Sequence, residues 1–326
     1  MQKLVDEGSS HFAQAVEIKA LGLQRLPAMA DLSSQVALIT GASSGIGMVV
    51  AQELAKKGMK VVLVARREAL LQKLVDEIVK AGGTAAAKAC DVSDSESLAA
   101  AFAFAEELYG GVDFVFANAG IEGNTNTTPH ADTEDGMLAA VFSINTTAQA
   151  ITLKYAVRSF EKRGKGGGTI VFASSVASFC NPLVLSQLAE QPTSQRGSGI
   201  AYFASKSALD MIASAAHAAY FDQNIRVYNL NLAQFKSEMG QRMGFEQDKT
   251  PWNPVFKASL GDPIHVAEVI IAILDGTSCW PPGSAFLVDN DLTVDAKYFY
   301  AHLRDPASSG QNFGWPSVEA LKAVGR

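Results

Sequence analysis

Short apolar stretches of strand length alternate with longer mixed stretches along most of this 326-residue chain. Apolar runs of this length, bounded by turn residues, are typical of strands buried on both faces of a parallel sheet. The pattern predicts seven strands, near residues 36–40, 60–65, 84–90, 112–117, 168–173, 225–231 and 284–288. It predicts helices in the intervals, near 45–57, 67–81, 94–109, 133–161, 201–222 and 263–275.

This alternation predicts an α/β fold, a doubly wound Rossmann-type sandwich with a seven-stranded parallel sheet and helices on both faces. In such folds the ligand binds beyond the carboxyl ends of the strands. No linker divides the chain, so we expect a single Rossmann-type domain over residues 34–326. Residues 1–33 are interpreted as an N-terminal extension, with an insertion near 181–199 and a C-terminal extension near 292–326.

A glycine-rich turn follows the first predicted strand in the pattern T-G-x-x-x-G-x-G. A strand, a glycine turn and a helix together place backbone N–H groups and the positive end of the helix dipole against a phosphate. An ordinary strand-to-helix loop is the alternative, but the strand at 60–65 completes the βαβ unit that a dinucleotide site requires. The predicted cofactor contacts in this turn are Gly41, Ser43, Ser44, Gly45, Ile46 and Gly47.

The second predicted strand is followed by Arg66 and Arg67, where an acidic residue would instead accept hydrogen bonds from an adenosine ribose. Guanidinium groups suit a 2′-phosphate because they donate several hydrogen bonds in one plane. The alternative is that the two arginines form the solvated start of a helix. The sequence therefore favours NADP(H) over NAD(H).

Two further strand ends carry candidate cofactor contacts. The third strand ends at Asp91 and Val92, where the carboxylate could accept a hydrogen bond from an adenine amino group. A helix N-cap is an equally weighted alternative for Asp91. The fourth strand ends at Asn118, Ala119 and Gly120, small residues where a cofactor passes close to the backbone.

The composition narrows the range of partners. Hydrophobic residues make up 48% and charged residues 18%, and the net charge is −6 with no basic block, so nucleic acid is not expected. No uninterrupted apolar run approaches the length of a membrane span, so a membrane is not expected either. Cys90, Cys180 and Cys279 are widely separated and form no metal-binding or disulfide pattern. The expected location is therefore a reducing compartment, the cytoplasm, and no metal is expected.

Four residues are candidates for the chemistry. Tyr202 and Lys206 are four positions apart near the start of a predicted helix, so both side chains can point into one site. A nearby ammonium favours the phenolate and lowers the tyrosine pKa, which suits a general acid/base. Ser175 follows the fifth strand, where it can hydrogen-bond a carbonyl or cap a turn. Asn145 lies mid-helix, either buried in a hydrogen-bonding role or on an exposed polar face.

Together these motifs resemble the short-chain dehydrogenase/reductase family, in its short single-domain branch, over roughly residues 33 to 290. The resemblance implies a seven-stranded parallel sheet and hydride transfer between NAD(P)(H) and a carbonyl or alcohol. It implies that Tyr202 is the general acid/base, and that Lys206 holds the nicotinamide ribose and lowers the tyrosine pKa. It also implies that Ser175 orients the carbonyl, that Asn145 holds a water in a proton relay, and that Ser237 contacts the nicotinamide carboxamide. Members often form homodimers or homotetramers.

The chain departs from the family pattern in several places. Ser175 and Tyr202 are 27 positions apart, which is longer than usual, and the additional segment is either a wall of the substrate site or a surface insertion. Leu232 and Ala233 replace the usual Pro-Gly pair. We predict an NADPH-dependent carbonyl reductase or alcohol dehydrogenase acting on a medium-to-large, rather apolar small molecule. The alternative is a nucleotide-binding protein of the same fold without turnover.

Overall fold

The computed structural model describes residues 32–123, 130–178, 199–242, 261–277, 282–283, 285–289 and 292–295. Three sequence predictions fall largely outside these ranges: the N-terminal extension 1–33, the insertion near 181–199, and the C-terminal extension near 292–326, of which the structure describes residues 292–295. Their boundaries therefore remain predictions, as does the assignment of residues 34–326 to one domain.

Strands and helices alternate as the apolar pattern predicts. The strands are β1 Val36–Thr40, β2 Lys60–Ala65, β3 Thr84–Ala89, β4 Phe114–Ala117, β5 Gly168–Ser175, β6 Ile225–Leu232, β7 Ala285–Asp289 and β8 Leu292–Asp295. The helices are α1 Gly45–Lys56, α2 Glu68–Lys80, α3 Ser95–Tyr109, α4 Asp135–Phe142, α5 Ala148–Arg163, α6 Ile200–Tyr220, α7 Glu238–Arg242 and α8 Pro263–Asp275. Asp94 and Asp262 cap α3 and α8, each accepting a hydrogen bond from a backbone N–H of its helix.

The strands form one sheet in the order β3-β2-β1-β4-β5-β6-β7-β8. β1 to β7 pair in parallel, which confirms the doubly wound fold, and the order reverses between β1 and β4. β8, which was not predicted, pairs antiparallel with β7 and makes the sheet eight-stranded rather than seven-stranded. The alternating residues Leu292–Asp295, separated from β7 by only two residues, are the signal that could have revealed this hairpin.

Apolar side chains on both sheet faces form two cores. On one face α1, α2 and α8 contribute Leu54, Leu71 and Ile270 to a cluster buried against β1 and β2. On the other face α3 and α5 contribute Phe102 and Phe160. Because helices cover both faces, the carboxyl ends of the strands are the place where the sheet can present polar groups to a ligand.

The predicted helix at 133–161 is interrupted. α4 and α5 are joined by a π-helical turn, Ser143–Thr147, so the continuous helical run extends from residue 135 to residue 163. Single π turns within α-helices frequently mark functional sites. This run is also long and apolar enough to cross a membrane by length and composition, because one 18-residue window within it has a mean hydropathy of 1.2. Within the run Ala156 and Phe160 pack in the core on one face of the sheet, and 28% of the apolar window is buried.

A buried ion pair fixes the amino end of the sheet, opposite the ligand end. Asp113, just before β4, accepts hydrogen bonds from Arg163 Nε at 2.7 Å and from the backbone N–H of Val36 at 2.8 Å. Arg163 Nη1 also donates to the carbonyls of Tyr109 and Gly111 at 2.8 Å each. The side chains of Arg163 and Asp113 are only 8% and 4% exposed, and the exposed Lys165 adds a second cation 3.3 Å from Asp113 Oδ1. The buried Arg163 guanidinium therefore depends on Asp113 for its neutralisation.

Candidate active site

A cleft of about 400 Å³ lies at the carboxyl ends of the parallel strands, across the point where the strand order reverses. Every residue that the sequence predicted for the site lines this cleft except Gly47 and Asn145, which lie behind its wall. Residues from β1 to β6 therefore meet in one concave surface, as expected for ligand binding in a doubly wound sheet.

The glycine turn packs against the end of β4 with no room for side chains. A Cβ on Gly47 would lie 2.6 Å from Asn118 Nδ2 and 2.7 Å from the carbonyl oxygen of Gly41. Gly41 has φ of +67°, a conformation that side chains disfavour, and a Cβ there would also meet Asn118. Asn118 Nδ2 donates to the carbonyl of Thr40 at 3.0 Å. Asn118 therefore holds the turn in place, and the open backbone of the turn fits a pyrophosphate at the start of α1.

Arg67 lines the cleft and bridges the glycine turn to α7. Its Nε and Nη2 donate to Ser43 Oγ at 3.1 and 2.9 Å, and Nη2 donates to Ser44 Oγ at 2.7 Å. Its Nη1 forms an ion pair with Glu238 Oε2 at 2.8 Å. A guanidinium fixed in this way beside the glycine turn fits the phosphate-binding role that the sequence suggested.

Asp91 is not the N-cap of α3, because Asp94 takes that position. The Asp91 carboxylate instead accepts hydrogen bonds from the Ser93 hydroxyl at 2.7 Å and the Ser93 backbone N–H at 3.0 Å. These bonds, with a smaller contribution from the charge of Arg66, hold the pKa of Asp91 below its usual value. Of the two alternatives for Asp91, the structure therefore removes the cap and leaves an ionised acceptor that lines the cleft beside Val92.

Tyr202 lies on the first turn of α6 and faces the end of β5. The Ser175 hydroxyl hydrogen-bonds the Tyr202 phenol, and Ser175 Oγ also accepts from the Ala177 N–H at 3.2 Å. Ser174 points elsewhere, donating to Asp210 Oδ1 at 2.7 Å. Ser174 and Ser175 are the last two residues of β5 rather than residues that follow it, and the structure directs Ser175 at the phenol.

Lys206 follows Tyr202 by one helical turn and is 4% exposed. Its Nζ donates to the Ala173 carbonyl at 2.8 Å and lies 5.8 Å from the centre of the Tyr202 ring. Burial lowers the pKa of Lys206 to about 8, partly offset by the charge of Asp210. The ammonium is therefore directed at a backbone carbonyl rather than at the phenol oxygen.

The structure does not show the expected lowering of the Tyr202 pKa. Burial of the phenol raises the pKa above its ordinary value, and the charge of Glu122 adds to this effect. The hydrogen bond with Ser175 works in the opposite direction but is the smaller contribution. The reason is that desolvation disfavours the phenolate, while the Lys206 ammonium donates to the Ala173 carbonyl.

Asn145 is fully buried in the π-helical turn, so the exposed-face alternative is wrong. Its Oδ1 accepts from the Ile121 N–H at 2.9 Å, and its Nδ2 donates to the Ile121 carbonyl at 2.8 Å and to Ser205 Oγ at 3.1 Å. A Cβ on Gly120 would lie 3.2 Å from Asn145 Oδ1 and 3.6 Å from Lys206 Nζ. The absent side chain of Gly120 thus opens a polar space between the asparagine and the lysine.

The Ser237 hydroxyl makes a hydrogen bond that the sequence did not predict. Its hydroxyl accepts a hydrogen bond from the Gly240 N–H at 3.0 Å at the start of α7, and a Cβ on Gly45 would lie 3.2 Å from Ser237 Cβ. Leu232 and Ala233, which replace the family's Pro-Gly pair, also line the cleft. The loop after β6 therefore crosses directly over the glycine turn.

Sequence reasoning missed three acidic residues at this site. Glu238 contacts Arg67, Glu122 raises the Tyr202 pKa, and Asp210 accepts hydrogen bonds from Ser174 and from Asn231 Nδ2, the latter at 2.9 Å to Oδ2. Asp210 alone had a readable signal, because Tyr202, Lys206 and Asp210 recur every four positions on one face of α6.

Comparisons with known proteins agree with this geometry. Residues 35–248 match the sequence profile of the short chain dehydrogenase family. The chain is 32% identical over 261 residues to the cyclohexanol dehydrogenase of Acinetobacter sp. (strain SE19), a match that covers 80% of this chain and 96% of that protein. A crystal structure of a short-chain type dehydrogenase/reductase from Mycobacterium marinum has a TM-score of 0.69 at 26% identity, covering 80% of this chain and 96% of that one.

A second solved structure carries a cofactor. It is the 3-ketoacyl-(acyl-carrier-protein) reductase from Brucella melitensis complexed with NADH, with a TM-score of 0.67 and 26% identity over 80% of this chain and 98% of that one.

The profile match covers well over half of the sequence, and the glycine turn, the tyrosine and the lysine meet in one cleft. The chain therefore belongs to the short-chain dehydrogenase/reductase family and is an NAD(P)(H)-dependent oxidoreductase.

Proposed function

We propose that this protein is an NADPH-dependent reductase of ketones, or in reverse a dehydrogenase of secondary alcohols, acting on a medium-to-large apolar small molecule. The observation that carries the proposal is the convergence of Ser175, Tyr202 and Lys206 in the same cleft as the glycine turn. The similarity to a cyclohexanol dehydrogenase supports a cyclic secondary alcohol or the matching ketone as the substrate class.

The roles of the side chains follow from their positions. NADPH, when bound, would supply a hydride to the substrate carbon, and NADP⁺ would accept one in the reverse reaction. Ser175 donates a hydrogen bond to the substrate oxygen, and Tyr202 gives its phenolic proton to that oxygen during reduction. Because burial keeps the Tyr202 pKa high, the phenol is protonated at neutral pH, which is the state that a proton donor needs.

Lys206 and Asn145 are proposed to serve the cofactor and the proton supply. Lys206, buried beside the tyrosine, would hold the nicotinamide ribose. The polar space at Gly120, between Asn145 Oδ1 and Lys206 Nζ, would hold a water that returns a proton to Tyr202. We further propose a homodimer or homotetramer located in the cytoplasm.

Activity on matched ketones tests this proposal. We expect NADPH oxidation with cyclic ketones of increasing size, at rates well above those with small polar ketones such as acetone. Equal rates across the series would remove the argument for an apolar substrate. No turnover with any carbonyl or secondary alcohol, despite tight cofactor binding, would instead favour a nucleotide-binding protein without catalysis.

Arg67→Ala tests the preference for NADP(H). A charge-assisted hydrogen bond to phosphate contributes about 1.5–3 kcal/mol, so we expect NADPH to bind about tenfold or more weakly to this variant. NADH lacks the phosphate, and its dissociation constant should change by less than about twofold. Both constants are measured by titration of cofactor fluorescence.

Arg158→Ala is the matched control, because Arg158 is an exposed arginine on α5 that does not line the cleft. Its removal should leave both constants unchanged. If Arg67→Ala weakens NADH and NADPH equally, or if the unaltered protein binds NADH as tightly as NADPH, the proposed preference is wrong.

A further inference from the structure

Glu238 places a carboxylate on the arginine that is proposed to bind the cofactor's 2′-phosphate. It is the first residue of α7, and Arg67 directly precedes α2, so the pair joins segments 171 positions apart. Arg67 Nη1 and Glu238 Oε2 are 2.8 Å apart, the two side chains are 45% and 44% exposed, and both residues line the cleft.

The Glu238 carboxylate makes the contacts that an anionic ligand would make. It is hydrogen-bonded by both Arg67 and Ser44, and these bonds hold its pKa below the usual value. Arg67 Nε and Nη2 donate to the hydroxyls of Ser43 and Ser44. Arg67 Nη1 is thus directed at a carboxylate, in the place where the sequence predicts a phosphate.

We propose that Glu238 is a specificity-determining residue that competes with the 2′-phosphate of NADP(H) for Arg67. The inference rests on the proposed assignment of Arg67 to that phosphate. Arg67 Nη1 is directed at the Glu238 carboxylate, so a 2′-phosphate that binds this nitrogen meets a like charge and is expected to displace Glu238. NAD(H) has a 2′-hydroxyl instead, which carries no charge and leaves the ion pair intact.

A second cation lowers the cost of this displacement. Arg242 lies four positions after Glu238 on α7, lines the same cleft, and contributes to lowering the Glu238 pKa. Residues four positions apart are neighbours on the same face of a helix. Glu238 can therefore move from Arg67 to Arg242 without losing a cationic partner, so NADP(H) opens the bridge between the glycine turn and α7 and NAD(H) does not.

Glu238→Gln tests the competition while keeping the shape of the side chain. We expect the dissociation constant of NADPH to fall by about two- to tenfold, because the phosphate no longer displaces a charged rival. The constant of NADH should change by less than about twofold. The fragments 2′,5′-ADP and 5′-AMP, used as competitors of bound NADPH, should show the same contrast because they differ only in the 2′-phosphate.

Glu77→Gln is the matched control. Glu77 is 49% exposed, pairs with Lys73 on α2 and does not line the cleft. Glu77→Gln therefore removes the same charge from a similarly exposed ion pair. This control should leave the ratio of the NADPH and NADH dissociation constants unchanged. A higher salt concentration should reduce the effect of Glu238→Gln on that ratio, because salt screens exposed charges. An unchanged ratio in Glu238→Gln, or an equal change for both cofactors, would overturn the inference.

The dissociation constants of NADPH and NADH distinguish an error in the proposed cofactor preference from an error in the proposed role of Glu238. If the unaltered protein binds NADH as tightly as NADPH, the preference for NADP(H) is wrong. A shift of the ratio toward NADPH in Glu238→Gln would even then support the competition, because Glu238 would be the reason for the missing preference.

Discussion

Replacing Tyr202 by phenylalanine is expected to lower kcat by about 10²- to 10⁴-fold, the range found for loss of a positioned general acid. The substitution removes the phenolic oxygen, which Ser175 hydrogen-bonds, and keeps the ring that packs near Lys206. Because the ring and the glycine turn remain, the dissociation constant of NADPH should change by only a few-fold. Steady-state kinetics with the best cyclic ketone and a fluorescence titration measure the two effects separately.

Tyr220→Phe is the control for this experiment. Tyr220 is the last residue of the same helix and does not line the cleft, so its variant should keep full activity. If Tyr202→Phe retains activity within a few-fold of the unaltered protein, Tyr202 is not the proton donor. If the protein's biological effect survives Tyr202→Phe although turnover is lost, the role without catalysis gains support.

The largest effect on stability is expected for Asp113→Ala. Removing one partner of a buried ion pair leaves the other charge uncompensated and costs about 3–5 kcal/mol. The variant would leave the Arg163 guanidinium without its carboxylate and the Val36 N–H without its acceptor. The free energy of unfolding, from a urea titration followed by circular dichroism, should fall by this amount while the fold remains α/β.

Two further variants define the cause of that loss. Asp113→Asn keeps an oxygen acceptor for Val36 and should be less destabilising than Asp113→Ala. Asp76→Ala removes an exposed carboxylate on α2 whose hydrogen bond comes from the neighbouring Gln72, and it should change stability by less than about 0.5 kcal/mol. A loss below about 1 kcal/mol for Asp113→Ala would show that the ion pair does not hold this end of the sheet.

Local patterns in the sequence were sufficient for the features that depend on neighbouring residues. The seven parallel strands and the helices between them follow from short apolar runs and turn residues, and the glycine turn follows from the spacing of Gly41, Gly45 and Gly47. Tyr202 and Lys206 could be paired because helix geometry fixes the relation between residues four positions apart.

Features that depend on long-range contacts could not be predicted in this way. No local pattern connects Arg67 with Glu238, or Asp113 with Arg163, because the folded sheet brings these residues together. The raised pKa of Tyr202 was missed for the same reason. The spacing to Lys206 suggested a lowered value, but the burial of the phenol is a property of the assembled site.

Asn145 in the π-helical turn restrains the loop after β4. The carboxamide of Asn145 hydrogen-bonds both the N–H and the C=O of Ile121, as a neighbouring strand would, although Ile121 lies beyond the end of β4. The amide hydrogen of Ile121 should therefore exchange with solvent as slowly as those of the central strands. In Asn145→Ala it should exchange at the rate of an open loop, because a single side chain extends the protection of the sheet to the edge of the cleft.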